Sequence, residues 1–268
     1  MTEKRKGARS MKDIPGDILA QLNRGEIETA NLTEWLAADQ RILLENLLQQ
    51  NDRKAYLKPV LEKLDQLKKQ TVNTINEAIG IELLSLVHQN QDEAFLLKLS
   101  THQADLVRCW AAYAIGRNSG IDLKEKLQSI QQFASDSHFG VREICWMAVR
   151  PDISKNLTES ILILSAWTKH KDENVRRFAS ESTRPRGVWC EHINALKQNP
   201  GLGLEILEPL RSDSSRYVQD SVGNWLNDAS KSQPEFVTEI CDEWLRESTT
   251  KETQYIVKKA LRTIKKIN

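Results

Sequence analysis

Val175-Arg176-Arg177-Phe178-Ala179-Ser180-Glu181-Ser182-Thr183-Arg184-Pro185-Arg186-Gly187-Val188-Trp189 opens as a helix with an apolar seam and then meets a proline. The residue before a proline is biased out of the α region, so the spacing predicts a helix end near Arg184. Three arginines, a glutamate and a tryptophan then gather around one helix C-terminus. Helices that only stack on one another rarely carry so much charge at one end, and the stretch reads as a site.

Outward from this stretch the chain repeats. Val107-Arg108, Val141-Arg142 and Val175-Arg176 are spaced by 34 residues, and Val218-Gln219 and Val257-Lys258 follow after 43 and 39. Short polar turns precede the pairs: Gln103-Ala104-Asp105, Ser135-Asp136-Ser137, Lys171-Asp172-Glu173 and Arg211-Ser212-Asp213. Other amphipathic segments lie between them, Leu123 to Phe133, Leu157 to Trp167 and Gly203 to Leu210. A helix pair per period of about 34–47 residues, with aspartate before Val-Arg at the second helix, is the pattern of HEAT-type α-solenoids. One pair cannot bury its apolar face alone, so the pairs must stack.

Stacking fixes a register. Nine residues after each anchor valine stand Gly116, Arg150, Arg184 and Asn227; ten after stand Arg117, Pro151, Pro185 and Asp228. Six after stand Tyr113, Met147, Glu181 and Asn224. If second helices line an inner face, these columns run along a groove that carries Arg117, Arg150, Arg184, Glu181 and Asp228.

Upstream, Asp13-Ile14-Pro15-Gly16-Asp17 reads as a helix start, and Asn31-Leu32-Thr33-Glu34-Trp35 as another with Asn31 or Thr33 as N-cap. Leu57, Leu61, Leu64 and Leu67 keep helical intervals, and Ile75 to Val87 and Glu93 to Leu99 continue them. No period-two strand pattern stands out, and the whole chain reads α. The expected organisation is a basic, disordered tail over residues 1–12 and one solenoid domain over 13–268.

Charge is nearly balanced, 38 basic against 37 acidic residues, so no global field announces a polyanionic partner. The excess is local. Lys4, Arg5, Lys6, Arg9 and Lys12 crowd the start, and Lys258, Lys259, Arg262, Lys265 and Lys266 the end. Cys109, Cys145, Cys190 and Cys241 have no CxxC spacing and read as reduced, mostly buried thiols. There is no signal-peptide pattern and no apolar run of about 18 residues, which points to a soluble cytoplasmic protein without a membrane partner. No P-loop, GxGxxG or HExxH occurs and the five histidines lack ligand spacing, so no cofactor and no metal is expected.

On Val-Arg-Arg-x-x-Ser-Glu-x-Thr-Arg-Pro-Arg at 175–186, Tyr217-Val218, Asn224-Trp225-Leu226-Asn227-Asp228-Ala229-Ser230-Lys231, Asp213-Ser214-Ser215 and Ala260-Leu261-Arg262-Thr263, the sequence resembles the AlkC/AlkD superfamily of HEAT-like-repeat DNA glycosylases, on the AlkC side. The resemblance covers about residues 100–268. It implies a right-handed solenoid with a concave DNA-binding groove, acting as a monomer on duplex DNA that contains alkylated bases. It implies a bacterial-type cytoplasm, on the nucleoid when bound, and excision of 3-methyladenine- or 3-methylcytosine-type bases. Carried over by position are Glu181, Trp189 and Asp228. Ser182, Gly187 and Val188 depart from the family's glycine at 182 and Leu-Pro at 187–188. Four residues before Arg150 the family commonly has an acid; here stands Trp146, with Glu143 one turn earlier on roughly the same face.

A cationic base departs neutral, so its excision needs stabilisation of an oxocarbenium-like sugar and a positioned water, work for one or two ionised carboxylates. Asp228, Glu181 and Glu143 are the candidate catalytic acids. Trp189 and Trp146 are candidate aromatic faces for the cationic base, and Arg117, Arg150, Arg184, Arg186 and Lys231 candidate DNA contacts. Each has a plainer reading. Glu181 has Arg177 and Arg184 within helical ion-pair reach, Asp228 has Lys231, and any of the arginines can pair between helices. Arg108, Arg142 and Arg176 read as bridges between repeats, and Trp110, Trp167, Trp225 and Trp244 as core. Two other functions stay open: a catalytically silent HEAT-like binder of distorted or branched DNA, which Trp146 favours, and a protein–protein scaffold.

Overall fold

A computed structural model of the chain describes residues 5–264; Lys4, Lys265 and Lys266 of the basic ends lie outside the described residues. It is all-α, with no β-sheet among the described residues. Two compact units divide at Ala148/Val149. Each stacks HEAT-like helix pairs.

The first unit holds α1 (Gly16–Asn23), α2 (Leu32–Ala37), α3 (Gln40–Gln50), α4 (Leu57–Asp65), α5 (Val72–Asn90), α6 (Glu93–Ser100), α7 (Asp105–Gly116) and α8 (Leu123–Ala134). The unit boundary falls within α9 (Phe139–Lys155). Asn31 caps α2 by accepting from Glu34 N at 3.0 Å, as the sequence suggested. Thr71 and Thr74 form a capping box on α5. The backbones of α5 and α7 come close at Gly80, where a Cβ would lie 2.5 Å from the Trp110 carbonyl. Trp110 is wholly buried there, its indole N–H on Gln40 Oε1 at 2.9 Å. The expected loose tail is corrected from residue 5 onward. Arg5 reaches the buried Glu34 with both terminal nitrogens at 2.6 Å, and Asn31 Nδ2 donates to Ala8 O at 2.8 Å. A buried carboxylate without a cation would be strongly disfavoured, so Arg5 is drawn in.

In the second unit follow α10 (Leu157–Trp167), α11 (Glu173–Ser182), the short α12 (Asn194–Gln198) and α13 (Leu204–Leu207), α14 (Arg216–Ser230), α15 (Pro234–Glu247) and α16 (Lys251–Ala260). The chain packs α10 on α11, α11 on α14, and α14 on both α15 and α16. Trp225 and Trp244 are wholly buried, as are Leu207, Leu210 and Ile256.

The repeat signature has a physical reason. Arg108 forks onto Asp136 at 2.7 and 3.0 Å in the first unit, and Arg176 forks onto Asp213 at 2.6 and 2.9 Å in the second. Each aspartate also accepts the amide two residues on, His138 N or Ser215 N, so it shapes the turn that leads into the next helix while holding the previous repeat's arginine. His102, His138 and His170 serve the same turns, each accepting the amide two residues later through Nδ1. Three of the five histidines are thereby turn-formers.

Candidate functional site

Helix α11 places Arg177 and Glu181 on one face, Arg184 follows just past its end, and α14 places Ser221 and Asp228 on one face two turns apart. Because α11 packs on α14, these faces meet. Thr183 ends α11: its hydroxyl donates to the Ala179 carbonyl at 2.9 Å and accepts from the Trp225 indole at 3.3 Å. The chain then turns out at Pro185, as predicted.

At the meeting point Arg184 holds both acids. Nη1 donates to Glu181 Oε1 at 2.7 Å, while Nε and Nη2 donate to Asp228 Oδ2 at 2.9 and 2.6 Å. Glu181 Oε2 accepts the Ser221 hydroxyl at 2.7 Å and lies 3.6 Å from Arg177 Nη2, whose guanidinium covers the Tyr217 ring at 4.1 Å. Asp228 Oδ1 accepts from Lys231 Nζ at 3.0 Å. Arg186 donates to the Asp228 carbonyl at 3.3 Å and to Ser232 Oγ at 2.7 Å. Glu181, Arg184 and Asp228 are buried, whereas the Lys231 side chain is 41% exposed.

Burial alone would push the Glu181 carboxyl up. The cations Arg177 and Arg184, with the bonds from Arg184 and Ser221, outweigh it and hold the carboxyl below the usual range. Burial opposes the charge on Arg184 too, but the two carboxylates raise its affinity for the proton. Glu181 and Arg184 are therefore both charged near neutrality.

The loop after Arg184 returns with Ile193 N on the Pro185 carbonyl at 3.1 Å. Between them Arg150 is the polar bracket: Nη1 donates to Ser182 O at 2.7 Å, Nη2 to Arg184 O at 2.6 Å and Nε to Glu191 O at 3.0 Å. It satisfies carbonyls that a helix end leaves open. At the tip stand Val188 and Trp189, and Trp189 is 77% exposed. Its φ of +59° is left-handed, which disfavours a non-glycine residue by roughly 1–2 kcal/mol.

Residues 141–264 match the sequence model of a family described as DNA alkylation repair enzyme. The chain resembles the AlkC/AlkD superfamily. A Bacillus subtilis (strain 168) relative, the uncharacterized protein YhaZ, is 42% identical over 139 residues, which are 52% of this chain and 38% of that protein. The chain thus spans well under half of that relative's length. The fold is similar to Pseudomonas fluorescens alkylpurine DNA glycosylase AlkC, solved bound to DNA containing an abasic site analog. The TM-score is 0.69 at 22% identity, over 97% of this chain and 66% of that one. It is also similar to AlkD2 from Streptococcus mutans, TM-score 0.58 at 23% identity, over 78% of this chain and 97% of that one. At such identities these structures speak for the fold, and the AlkC similarity is the stronger of the two.

Several expectations need correction. The columns expected to line an open groove are largely buried: Tyr113, Gly116 and Met147 in the first unit, and Arg150, Glu181, Arg184, Asn227 and Asp228 in the second. Arg150 leaves the body of α9 and Arg184 follows the end of α11, and carbonyls and neighbouring acids capture both guanidinium groups. Arg150 and Arg184, expected at DNA phosphates, are thus spent inside the protein. Trp146, expected against a base, is 3% exposed, with its indole N–H on Glu143 Oε2 at 2.9 Å. That bond also occupies Glu143. Arg117 pairs with Glu77 at 2.7 Å and is half-buried. Arg186 and Lys231 keep solvent access. Sequence reasoning missed Ser221 and the Arg150 bracket. Ser221 stands three residues after its anchor valine and Glu181 six after its own, so no shared column pairs them.

Proposed function

We propose that this chain is a DNA glycosylase that excises cationic alkylated bases, of the 3-methyladenine and 3-methylcytosine type, from duplex DNA. What supports the reading is the convergence of two carboxyl groups, Glu181 and Asp228, on Arg184, with an exposed tryptophan on the loop that leaves the same arginine. A cationic base leaves neutral, so no acid is required at the base. The developing positive charge on the sugar is offset by Asp228, with Glu181 behind it, and a carboxylate edge orients the attacking water. Arg184 holds both acids in place, so little reorganisation accompanies the reaction. Lys231 moves to a DNA phosphate and bares Asp228 Oδ1 toward the sugar; Arg186 adds a second phosphate contact. The ring of Trp189 offers its face to the cationic base. Incubation with methylated duplex DNA, followed by chromatography of the released bases, tests the proposal. Release by the wild type and not by Asp228→Asn supports it; no release from any methylated duplex refutes it.

One observation favours a second reading, a DNA-binding protein without catalysis. Where the resemblance expects an acid, Trp146 is buried and its indole engages Glu143. A chain short of one acid would bind duplex DNA with a salt-dependent affinity and release nothing.

A further inference from the structure

Trp189 is held in a left-handed conformation at a loop tip, and such a residue relaxes unless its surroundings over-determine it. The over-determination comes from Arg150. Arg150 is 2% exposed, and its guanidinium binds the outgoing leg at Ser182 O and Arg184 O and the returning leg at Glu191 O. Gly187, midway along the loop, lies against that guanidinium: a Cβ there would meet Nε and Nη2 at 3.1 Å and collide with Cys190 Sγ. The loop is thus packed onto one planar, three-way donor, which a lysine ammonium cannot imitate because its donors sit on a single atom.

We propose that Arg150 is the positioning residue of this loop, setting the orientation in which Trp189 meets DNA without touching DNA itself. What Trp189 meets rests on the functional reading above; what Arg150 holds rests on the loop's geometry alone. A ring already immobile loses less freedom on stacking, so the bracket contributes to affinity through Trp189.

The test uses a convenience of the sequence. Trp189 is 77% exposed and the other six tryptophans at most 8%, so iodide quenching and the difference from Trp189→Phe isolate its emission. In the free wild type its anisotropy should decay only with overall tumbling. In Arg150→Lys, still folded by circular dichroism, a fast nanosecond component should appear. Should Arg150→Lys fail to fold, Gly187→Ala provides the same readout, and adding Cys190→Ala should restore rigidity. Binding to a short duplex carrying one tetrahydrofuran abasic analogue should fall about tenfold in Trp189→Ala. It should fall about as much in Arg150→Lys, and no further in the double variant. A Trp189 as rigid in these variants as in the wild type, or binding losses that multiply to about a hundredfold, overturns the proposal. If the wild type binds no DNA the functional reading falls, and the anisotropy still decides the role of Arg150.

Discussion

Arg184 gives two of its N–H groups, Nε at 2.9 Å and Nη2 at 2.6 Å, to a single oxygen of Asp228, Oδ2. A fork-on-fork pairing would have engaged both oxygens. Here the second oxygen is left to Lys231, a residue with 41% of its side chain in solvent. One edge of the carboxylate is locked from inside, and the other is guarded by a cation that solvent or a phosphate can draw away.

The inner lock is a stability element. Arg184→Ala strands two buried carboxylates and should destabilise the fold by about 3–5 kcal/mol, read from urea unfolding. Combining it with Glu181→Gln and Asp228→Asn should recover part of the loss, because no uncompensated charge then remains. A loss below about 1 kcal/mol would mean that the cluster is solvated.

Glu181 gives the cluster a pH signature. Its folded carboxyl titrates below the ordinary glutamate value of about 4.3. In the interval between the two values the unfolded chain binds the extra proton, so stability rises with pH there. The contribution is complete above about pH 4.3 and disappears as pH falls through the folded value. Urea midpoints between about pH 3 and 6 should fall less steeply on the acid side for Glu181→Gln than for the wild type. Parallel acid limbs would count against the burial of this ion pair.

How much of this could be read in advance follows from the physics of each residue. The Val-Arg repeat announced the helix pairs because the Arg108 and Arg176 copies meet the same demand, an aspartate that shapes the turn before a later helix and holds the preceding arginine. Pro185 announced a helix end. Pro151, in an identical Arg-Pro pair, did not act as a stop, since α9 runs on to Lys155. The dipeptide does not say whether other groups stand ready to satisfy the carbonyls before it; before Pro185, Arg150 takes those of Ser182 and Arg184. The same blindness placed Arg150 in a DNA groove. A register column tells which face an arginine leaves from, not whether carbonyls or phosphates receive it.

Lys231 should behave as a displaceable guard. Because it is 41% exposed, Lys231→Met should change stability by less than about 1 kcal/mol. If its ammonium passes to a phosphate, the variant should bind duplex DNA more weakly and lower the slope of log affinity against log salt by about one. An unchanged salt slope would leave Lys231 as a partner of Asp228 alone.

The carboxylates themselves separate enzyme from binder. Asp228→Asn keeps the shape and removes the charge facing the sugar, so binding to an abasic-analogue duplex should persist while base release falls by a few hundred-fold or more. That corresponds to about 3–4 kcal/mol of transition-state stabilisation. Glu181→Gln should fall less, since its charge already answers to Arg177 and Arg184. Trp146→Glu adds the acid that the resemblance expects, but it removes a buried ring and sets a second carboxyl beside Glu143. It should therefore lose roughly 3–5 kcal/mol of stability, and its activity must be measured on the folded fraction. Release of methylated bases by folded Trp146→Glu and not by the wild type would mark a binder that has lost its third acid. Release by the wild type that is indifferent to both Asp228→Asn and Glu181→Gln would leave a glycosylase whose chemistry lies elsewhere in the chain.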